Sequence, residues 1–433
     1  MRDPRLRSNV PTLLAFVLLV LMAACGDLSE GHLPEPPTTD SPLPSDDPAP
    51  ETPTDDPPAE PPGDEPPDEE PDPEPPVDDP PPEEPGDDPD PTVPEPWLDD
   101  AFTVVVLPDT QNMLGVKTAN NDMVATMTAW IVDNVAERDI AFVTHVGDIV
   151  DRGHDPLEWQ RAHEQLGALD GSVPYGIALG DHDYEVEEDM GSSTAHYRHY
   201  FGPQRYDAYD WYGGSGPDGL SHYQFFESGG RTFLHVTLEW EARGPADDPS
   251  TPLGWARAVI EQHAELPTII TTHAYVWDLP GYEGRTWSRS HLEGYVVDEA
   301  GRTSYPGSTG QAIFEAVVAP YDNVFMVLNG HYHRGKGSSD GEYHQVSLND
   351  AGSEVYEMLS NFQDYPNGGD GWMRLIEFRP GGGDALPDRI EVATYSPVRD
   401  EYQLDAASAF HFDLDFAQRF GDLGATGSGS HHP

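Results

Sequence analysis

Residues 102–111 read FTVVVLPDTQ, a short apolar run that ends in Asp109 and Gln111. The same arrangement occurs in AFVTHVGDIVD at residues 141–151 and in YGIALGDHD at residues 175–183. Each apolar run has the length and composition of a buried strand, and each is followed by acidic, amide or imidazole side chains. In an open α/β sheet, ligands bind in the crevice beyond the carboxyl ends of the strands. We therefore expect these polar groups to meet at one edge of a sheet.

Two further clusters follow apolar runs in the second half of the chain. His273 comes after residues 268–270, and the sequence GHYH at residues 330–333 comes after residues 324–328. Any one such cluster could be only a helix cap or a turn. Five of them in order, all at strand ends, supply the carboxylate, amide and imidazole donors that a divalent metal takes from separate strands. The sequence therefore predicts a two-metal hydrolytic site.

Helices are predicted between most of the strands. Helical spacing of apolar residues indicates segments 119–137, 156–169, 253–266 and 310–318. The resulting strand–helix–strand order predicts a parallel sheet with crossover helices. The remaining segments are expected to be loop inserts at 184–220 and 277–306, a hairpin within 221–238, and strands at 343–348, 354–360, 372–378 and 389–395.

The five clusters, taken in order, resemble the motifs of the calcineurin-like metallophosphoesterases. That family's pattern is Asp-x-His, Gly-Asp-x-x-Asp, Gly-Asn-His-Asp/Glu, a later His and Gly-His-x-His, and the resemblance extends over residues 102–333. It implies an α/β fold of a single domain, a four-layer αββα sandwich of two mixed β-sheets. It also implies hydrolysis of phosphate mono- or diesters by a hydroxide held between two divalent metal ions.

The resemblance implies a ligand set for each metal. The first metal would be held by Asp109, Gln111, Asp148 and His333. Asp148 would also bridge to the second metal, whose other ligands would be Asp181, His273 and His331. The metals themselves could be Mn, Mg, Fe, Zn or Ca.

The resemblance also implies roles for three residues beside the metals. His182 would donate a proton to the leaving group, and Asp151 would orient and charge the imidazole of His182. Arg152 matches an arginine that binds phosphate in the protein serine/threonine phosphatases of the same superfamily. A surface salt bridge is an equally good explanation of Arg152, and the sequence leaves the two open.

Two positions depart from the family pattern. Gln111 stands where the family has histidine, and its amide oxygen should favour harder ions such as Mn, Mg or Ca over Zn. Asp181 stands where the family has asparagine, and it adds a negative charge to a site that must accept phosphate. We expect Asp181 to tighten metal binding and to lower the Lewis acidity of the metal, which would give a slow or altered catalyst.

The N-terminal segment has the pattern of a bacterial lipoprotein signal. Arg2, Arg5 and Arg7 precede an apolar core at residues 13–21, and Cys25 occupies the position of the lipid-modified cysteine. The expected organisation is a signal at 1–25, a linker at 26–97, the phosphoesterase domain at 98–418 and a disordered tail at 419–433. The linker is so rich in Pro, Asp and Glu that it cannot bury enough apolar surface to fold. Ordinary secretion with a free thiol is the alternative for Cys25, and a solubilising leader is the alternative to a stalk.

The charge of the chain limits its partners. Its 79 acidic residues outnumber its 22 Lys and Arg residues, for a net charge of −57 at pH 7. Such a chain does not present the basic face that duplex nucleic acid requires. The expected partners are a small phosphoester substrate and, through the lipid anchor, a membrane; the protein is expected to be a monomer. The expected location is the cell envelope, in the periplasm or at the cell surface, with secretion as the alternative.

A second class of function is compatible with the same acidic residues. A non-catalytic surface module on a disordered stalk could use them to bind Ca for adhesion or cell contact. Such a module would need neither His182 nor Asp151, whereas a hydrolase needs a proton donor. The presence of both residues therefore favours the enzyme.

Overall fold

The strands of the computed structural model form two large sheets that enclose an apolar core. The structure describes residues 101–115, 122–277, 289–333, 341–381 and 387–421, which all belong to one compact unit. Within these ranges the strands are β1 (Phe102–Leu107), β2 (Ile140–His145), β3 (Tyr175–Ile177), β4 (Tyr212–Ser215), β5 (His222–Ser228), β6 (Arg231–Thr237), β7 (Thr268–Thr271), β8 (Val296–Val297), β9 (Thr303–Ser304), β10 (Val324–Asn329), β11 (Glu342–Leu348), β12 (Glu354–Ser360), β13 (Met373–Arg379), β14 (Arg389–Ser396), β15 (Glu401–Gln403) and β16 (Ala409–Asp413). The helices are α1 (Gln111–Leu114), α2 (Met123–Asn134), α3 (Pro156–Leu166), α4 (Ala195–Phe201), α5 (Pro252–Gln262), α6 (Gly310–Ile313), α7 (Pro366–Gly369) and α8 (Phe416–Phe420).

Both large sheets contain parallel and antiparallel pairs. The first has the order β15-β14-β13-β1-β2-β3, with β16 also paired to β14, and the second has the order β11-β12-β10-β7-β6-β5-β4. The neighbours β1, β2 and β3 are parallel, which confirms the predicted strand–helix–strand order. In the second sheet β6, β7, β10 and β12 are parallel. The five polar clusters follow β1, β2, β3, β7 and β10, so within each sheet they lie at one edge.

Alternate residues of β1 face opposite sides of the first sheet, as the two-residue period of a strand requires. Phe102, Val104 and Val106 pack between the sheets, where the ring of Phe102 stacks on Phe378 with centroids 4.5 Å apart. Val105 faces the other way, into an apolar cluster that includes residues of α2 and α3. Residues of α5 and α6 belong to the same outer cluster, together with alternate residues of the second sheet. The layers are therefore αββα, and the expected fold class is confirmed.

Most helices and strands lie where capping residues, turn residues and apolar periodicity predicted them. The carboxylate of Asp155 caps α3 by accepting a hydrogen bond from the backbone N–H of Leu157, and Pro156 follows as the first helical residue. The hairpin of β5 and β6 turns at Gly229 and Gly230, which both have positive φ. The helix predicted at 310–318 is present, although its second half is a π turn.

Several elements differ from the predictions. The third strand is shorter than predicted, and the insert at 184–220 contains the helix α4 and the edge strand β4 rather than irregular chain alone. The strands β15 and β16 were not predicted. The three residues of β15 are too few to show a period, and the alternation of Phe410 and Phe412 in β16 was missed. The helix α8 crosses the predicted end of the domain at residue 418.

Several expectations fall on residues that the structure does not describe. The predicted signal at 1–25 with Cys25, the linker at 26–97 and most of the predicted tail lie outside the described residues. The same is true of residues 278–288 in the second loop insert. Among the described residues, none of the helices has both the length and the apolar character needed to span a bilayer.

Candidate metal centre

The loop that follows β2 turns in a conformation that brings its carboxylate inward. Gly147 and Asp148 both have positive φ, at 103° and 53°. A Cβ atom on Gly147 would lie 2.7 Å from Nδ1 of His273, so only glycine fits at that position. The carboxylate of Asp183 secures the turn, because it accepts hydrogen bonds from the backbone N–H groups of Ile149 (2.9 Å) and Gly180 (2.8 Å). Asp183, the last residue of the third cluster, thus holds together the loops that follow β2 and β3.

Four buried side chains converge beyond these strand ends. Asp148, Asp181, His273 and His331 each offer one ligand atom, and all four atoms lie within 4.8 Å of one another. Nε2 of His273 lies 2.9 Å from Oδ1 of Asp181 and 3.2 Å from Oδ1 of Asp148. Nδ1 of His331 lies 2.9 Å from the same oxygen of Asp181. These are the four residues that the resemblance implied for the second metal.

The electrostatics of the cluster fit a bound cation. Burial raises the pKa of Asp109 to about 7. Burial alone would lower the pKa of His331, but the carboxylate of Asp181 raises it to about 9. Oδ2 of Asp109 and Oε1 of Gln111 are buried and have no hydrogen-bond partner among the described residues. Buried acceptors are rarely left without partners, so these oxygens and the four converging ligand atoms suit divalent cations.

The residues expected around the first metal are brought together in part. Oδ1 of Asp109 accepts a hydrogen bond from the backbone N–H of His331 at 2.9 Å. The amide nitrogen of Gln111 donates to Oδ2 of Asp148 (2.8 Å) and to Oε1 of Gln363 (2.6 Å). Nδ1 of His333 lies 2.7 Å from a carboxylate oxygen of Asp364. Asp109 and Gln111 therefore adjoin the second-metal set, and His333 has an acidic partner that was not predicted.

Gln363 and Asp364 were not predicted, but like the five polar clusters they follow the end of a strand. They come three and four residues after β12, which is the parallel neighbour of β10. The carboxyl end of β12 therefore lies at the same edge of the sheet as GHYH. The sequence SNFQD at residues 360–364 was a sixth polar cluster at a strand end, and its position after a strand was the signal that could have found it.

His182 adjoins the cluster, but Asp151 does not orient it in the way expected. The backbone N–H of His182 donates to Oδ1 of Asp148 at 3.1 Å. Nδ1 of His182 lies 2.9 Å from the backbone carbonyl oxygen of Asp151, and Nε2 lies 3.1 Å from a carboxylate oxygen of Glu187. The expectation that the carboxylate of Asp151 orients the ring is therefore corrected. The turn points the carbonyl of Asp151 toward the imidazole, while its carboxylate is 43% exposed and lies near Arg152.

The pKa of His182 follows from the neighbouring acids. Burial alone would lower it, but the carboxylates of Asp148 and Asp181 raise the pKa of His182 to about 10. In the described structure the imidazole therefore holds both of its protons at neutral pH. A ring nitrogen of His182 and carboxylate oxygens of Asp181 and Glu187 lie within 4.8 Å of one another. The ring faces a groove lined in part by Asp151 and Glu187.

Arg152 forms ion pairs with acidic residues at the start of α3. Its Nε and Nη2 atoms lie 3.0 and 2.5 Å from Oε1 of Glu158, whose side chain is fully buried. Nη2 also lies 2.8 Å from a carboxylate oxygen of Asp155. This is the salt-bridge alternative, and binding of phosphate by Arg152 stays a prediction.

His145 is a buried core group whose two ring nitrogens both have hydrogen-bond partners. Its Nε2 lies 2.9 Å from Oγ1 of Thr110, and its Nδ1 accepts a hydrogen bond from the backbone N–H of Gly147 at 3.2 Å. Burial lowers the pKa of His145 to about 3, so the ring is neutral. It thereby joins the loop after β1 to the loop after β2.

Comparison with known proteins places most of this architecture in one family. Residues 102–335 match the sequence model described as calcineurin-like phosphoesterase. The uncharacterized protein YvnB of Bacillus subtilis (strain 168) is 31% identical over 332 residues, which cover 74% of this chain and 22% of that protein. The chain thus spans about a fifth of the length of that relative.

Two solved structures align with most of this chain at low sequence identity. Purple acid phosphatase PPD1 from yellow lupin (Lupinus luteus) is 13% identical, with a TM-score of 0.42 over 75% of this chain and 56% of that one. GAP50, described as the anchor in the inner membrane complex of Plasmodium, is 10% identical, with a TM-score of 0.37 over 73% of this chain and 89% of that one.

Proposed function

The chain belongs to the calcineurin-like phosphoesterase family, and we propose that it is a metal-dependent hydrolase that cleaves phosphate mono- or diesters in the cell envelope. The observation that supports this most strongly is the convergence of Asp148, Asp181, His273 and His331 in a buried cluster. Two divalent cations bound there and at Asp109 and Gln111 would supply Lewis acidity toward water and the phosphoryl group. We propose that these residues, with His333, hold the cations.

The geometry of His182 suits a proton donor to the leaving group. Its Nδ1–H is directed at the carbonyl oxygen of Asp151, so the hydrogen on Nε2 is the one available for transfer. That nitrogen now faces Glu187, whose side chain is 58% exposed and is free to move toward solvent. An oxygen of the leaving group would take the place of the Glu187 carboxylate.

A chromogenic assay tests the proposed reaction. Metal-stripped protein would receive Mn, Mg, Zn, Fe or Ca with p-nitrophenyl phosphate or its bis ester, and at least one ion should restore turnover. His182→Asn should lower turnover by about 10²–10⁴-fold for phenyl phosphate and by less for p-nitrophenyl phosphate, because a poor leaving group needs the proton more. No turnover with any ion would overturn the hydrolase and leave the Ca-binding module.

We propose in addition that Cys25 is lipid-modified and anchors the domain to a membrane. The support is the sequence alone, which places a single cysteine after a basic segment and an apolar core. Full-length protein should partition into detergent in Triton X-114 phase separation, and Cys25→Ser should move it to the aqueous phase. Aqueous partition of the unaltered protein would instead support secretion.

A further inference from the structure

A glutamate from the second loop insert contacts one of the candidate metal ligands. Oε2 of Glu293 lies 3.0 Å from Nε2 of His331. We propose that Glu293 is a positioning residue for His331: it accepts the Nε2–H hydrogen bond, fixes the plane of the ring and leaves the lone pair of Nδ1 for a cation. This role rests on the proposed function, because it assumes that His331 is a metal ligand.

The two nitrogens of His331 face different surroundings, and this defines which one can bind metal. Nδ1 lies 2.9 Å from Oδ1 of Asp181 and 3.2 Å from Nε2 of His273, inside the converging cluster. Nε2 points out of the cluster, toward Glu293. A ligating histidine usually donates its other N–H to a carboxylate or carbonyl, which fixes the tautomer and raises the basicity of the ligating nitrogen. Glu293 is placed to perform that function.

Glu241 holds the backbone that presents Glu293. Its Oε1 accepts a hydrogen bond from the N–H of Glu293 at 2.7 Å, and its Oε2 accepts one from the N–H of Gly294 at 3.3 Å. A Cβ atom on Gly294 would lie 3.0 Å from Oε2 of Glu241, and one on Gly307 would lie 2.2 Å from the same oxygen. The two glycines therefore let the chain close around a buried carboxylate.

Both ends of the segment at residues 289–295, which contains Glu293, contact other parts of the fold. The guanidinium of Arg289 lies 2.9 Å from the carboxylate of Glu357 on β12, and both side chains are buried. At the other end, the N–H of Tyr295 donates to the carbonyl oxygen of Glu188 (3.0 Å), and the N–H of Met190 donates to the carbonyl oxygen of Tyr295 (2.9 Å). The backbone on both sides of Glu293 is thus held by packed parts of the molecule.

The contact of Glu293 with His331 differs in solvent exposure from the contact of Glu187 with His182. Both glutamates place a carboxylate oxygen about as far from an imidazole Nε2, at 3.0 and 3.1 Å. The side chain of Glu293 is 19% exposed, whereas that of Glu187 is 58% exposed. The carboxylate of Glu293 is therefore less open to water than that of Glu187, and its hydrogen bond with His331 should persist throughout a reaction cycle.

Metal affinity provides the test, and it does not depend on turnover. Mn²⁺ would be titrated into metal-stripped protein and followed by the electron paramagnetic resonance signal of the free ion. Glu293→Ala should weaken binding of the more weakly held ion about 10–100-fold, and Glu293→Gln, which keeps an acceptor oxygen and the side-chain volume, should weaken it less. The visible spectrum of the Co²⁺-loaded protein should change in Glu293→Ala. Glu299→Gln, on the same segment but exposed, is the matched control and should change neither reading.

The possible failures are distinguishable. If the unaltered protein binds Mn²⁺ and Co²⁺, but folded Glu293→Ala and Glu293→Gln give the same affinity and spectrum, the positioning role is wrong and the proposed function stands. If the unaltered protein binds no divalent ion, the proposed function is wrong and the role of Glu293 falls with it. Circular dichroism of each variant distinguishes a lost fold from a lost ligand.

Discussion

The amide of Gln111 forms contacts that the histidine of the family pattern could not form at the same time. Its nitrogen donates to two acceptors, Asp148 and Gln363, so the orientation of the amide is determined by its surroundings. Its oxygen is consequently left buried without a partner among the described residues. Such an oxygen can accept a bond from a hard cation, and the preference for Mn, Mg or Ca over Zn stays a prediction.

Asp181→Asn, the second departure from the family pattern, should retain metal and raise turnover. One oxygen of Asp181 faces both His273 and His331. Burial would raise the pKa of this carboxyl, but the two histidines hold it well below its ordinary value. Asparagine keeps an oxygen donor there and removes the charge, so metal affinity should fall by about 10-fold and turnover should rise a few-fold. Metal content by mass spectrometry and kcat are the measurements, and complete loss of metal would show that Asp181 has a different role.

Replacing Arg152 separates its two possible roles. If the ion pair with buried Glu158 is its function, Arg152→Ala should lower the melting temperature and change KM less than about threefold, because substrate contacts are intact. If the guanidinium binds phosphate, KM should rise at least about 10-fold. Glu158→Gln is the matched variant: it releases Arg152 and should lower the melting temperature without raising KM. A large rise in KM in Arg152→Ala alone would establish the phosphate role.

At the scale of elements, a buried chain of hydrogen bonds joins the two sheets. Oγ1 of Thr144 on β2 donates to Oγ1 of Thr271 on β7 (2.9 Å), which contacts Nε2 of His235 (2.9 Å). Nδ1 of His235 is 3.1 Å from Oε1 of Gln224. The amide nitrogen of Gln224 contacts Nδ1 of His222, whose Nε2 is 3.1 Å from the carbonyl oxygen of Ile177 on β3. The hydroxyl of Thr271 needs Nε2 of His235 as its acceptor, and the amide nitrogen of Gln224 needs Nδ1 of His222. These ring nitrogens can accept only if both imidazoles are neutral.

The two histidines of this chain should make stability depend on pH. Burial lowers the pKa of His222 to about 4 and holds that of His235 well below its ordinary value, whereas both titrate near 6.5 when unfolded. Below pH 6.5 the unfolded state therefore binds more protons, so stability is full above about pH 7 and falls as the pH drops toward 4. For His222 the loss is on the order of 3 kcal/mol.

Urea unfolding between pH 7 and 4.5 tests this dependence. His222→Gln and His235→Gln should each flatten the pH dependence relative to the unaltered protein, since glutamine does not titrate. His411→Gln, an exposed histidine on β16, should leave it unchanged. The difference between variant and unaltered protein is the relevant quantity, because the buried acids also titrate in this range. Equal slopes in all four proteins would contradict the assignment.

The sequence predicted the elements that follow local rules and missed contacts between distant segments. Strand ends, caps and the glycine hairpin are encoded by neighbouring residues, and most were found. Glu293 and Glu241 were missed because their contacts join the second loop insert to the segment after β6 and to the loop after β10. Such contacts between distant segments leave no periodic pattern in the sequence. Asp151 was misassigned for a related reason: a sequence motif does not specify whether a side chain or a carbonyl faces the imidazole.

At the scale of the whole molecule, the charge imbalance is the dominant property. A net charge of −57 makes the long-range electrostatic energy repulsive. Two ion pairs, Arg289 with Glu357 and Arg374 with Glu342, are buried, so dissolved salt screens them little. Salt should therefore weaken the repulsion between surface acids more than it weakens the ion pairs, and the folded state should gain stability.

Thermal unfolding in KCl provides the test at this scale. The screening length falls from about 10 Å at 0.1 M to about 3 Å at 1 M salt, so the melting temperature should rise by roughly 5 °C over that range. Sucrose at equal osmolality is the control for effects that do not depend on charge. A variant that combines Glu137→Lys, Glu164→Lys and Glu265→Lys, all at exposed positions, should show a smaller rise because it starts with less repulsion. A melting temperature that is constant or falls as KCl is added would mean that attraction between neighbouring charges outweighs the net repulsion.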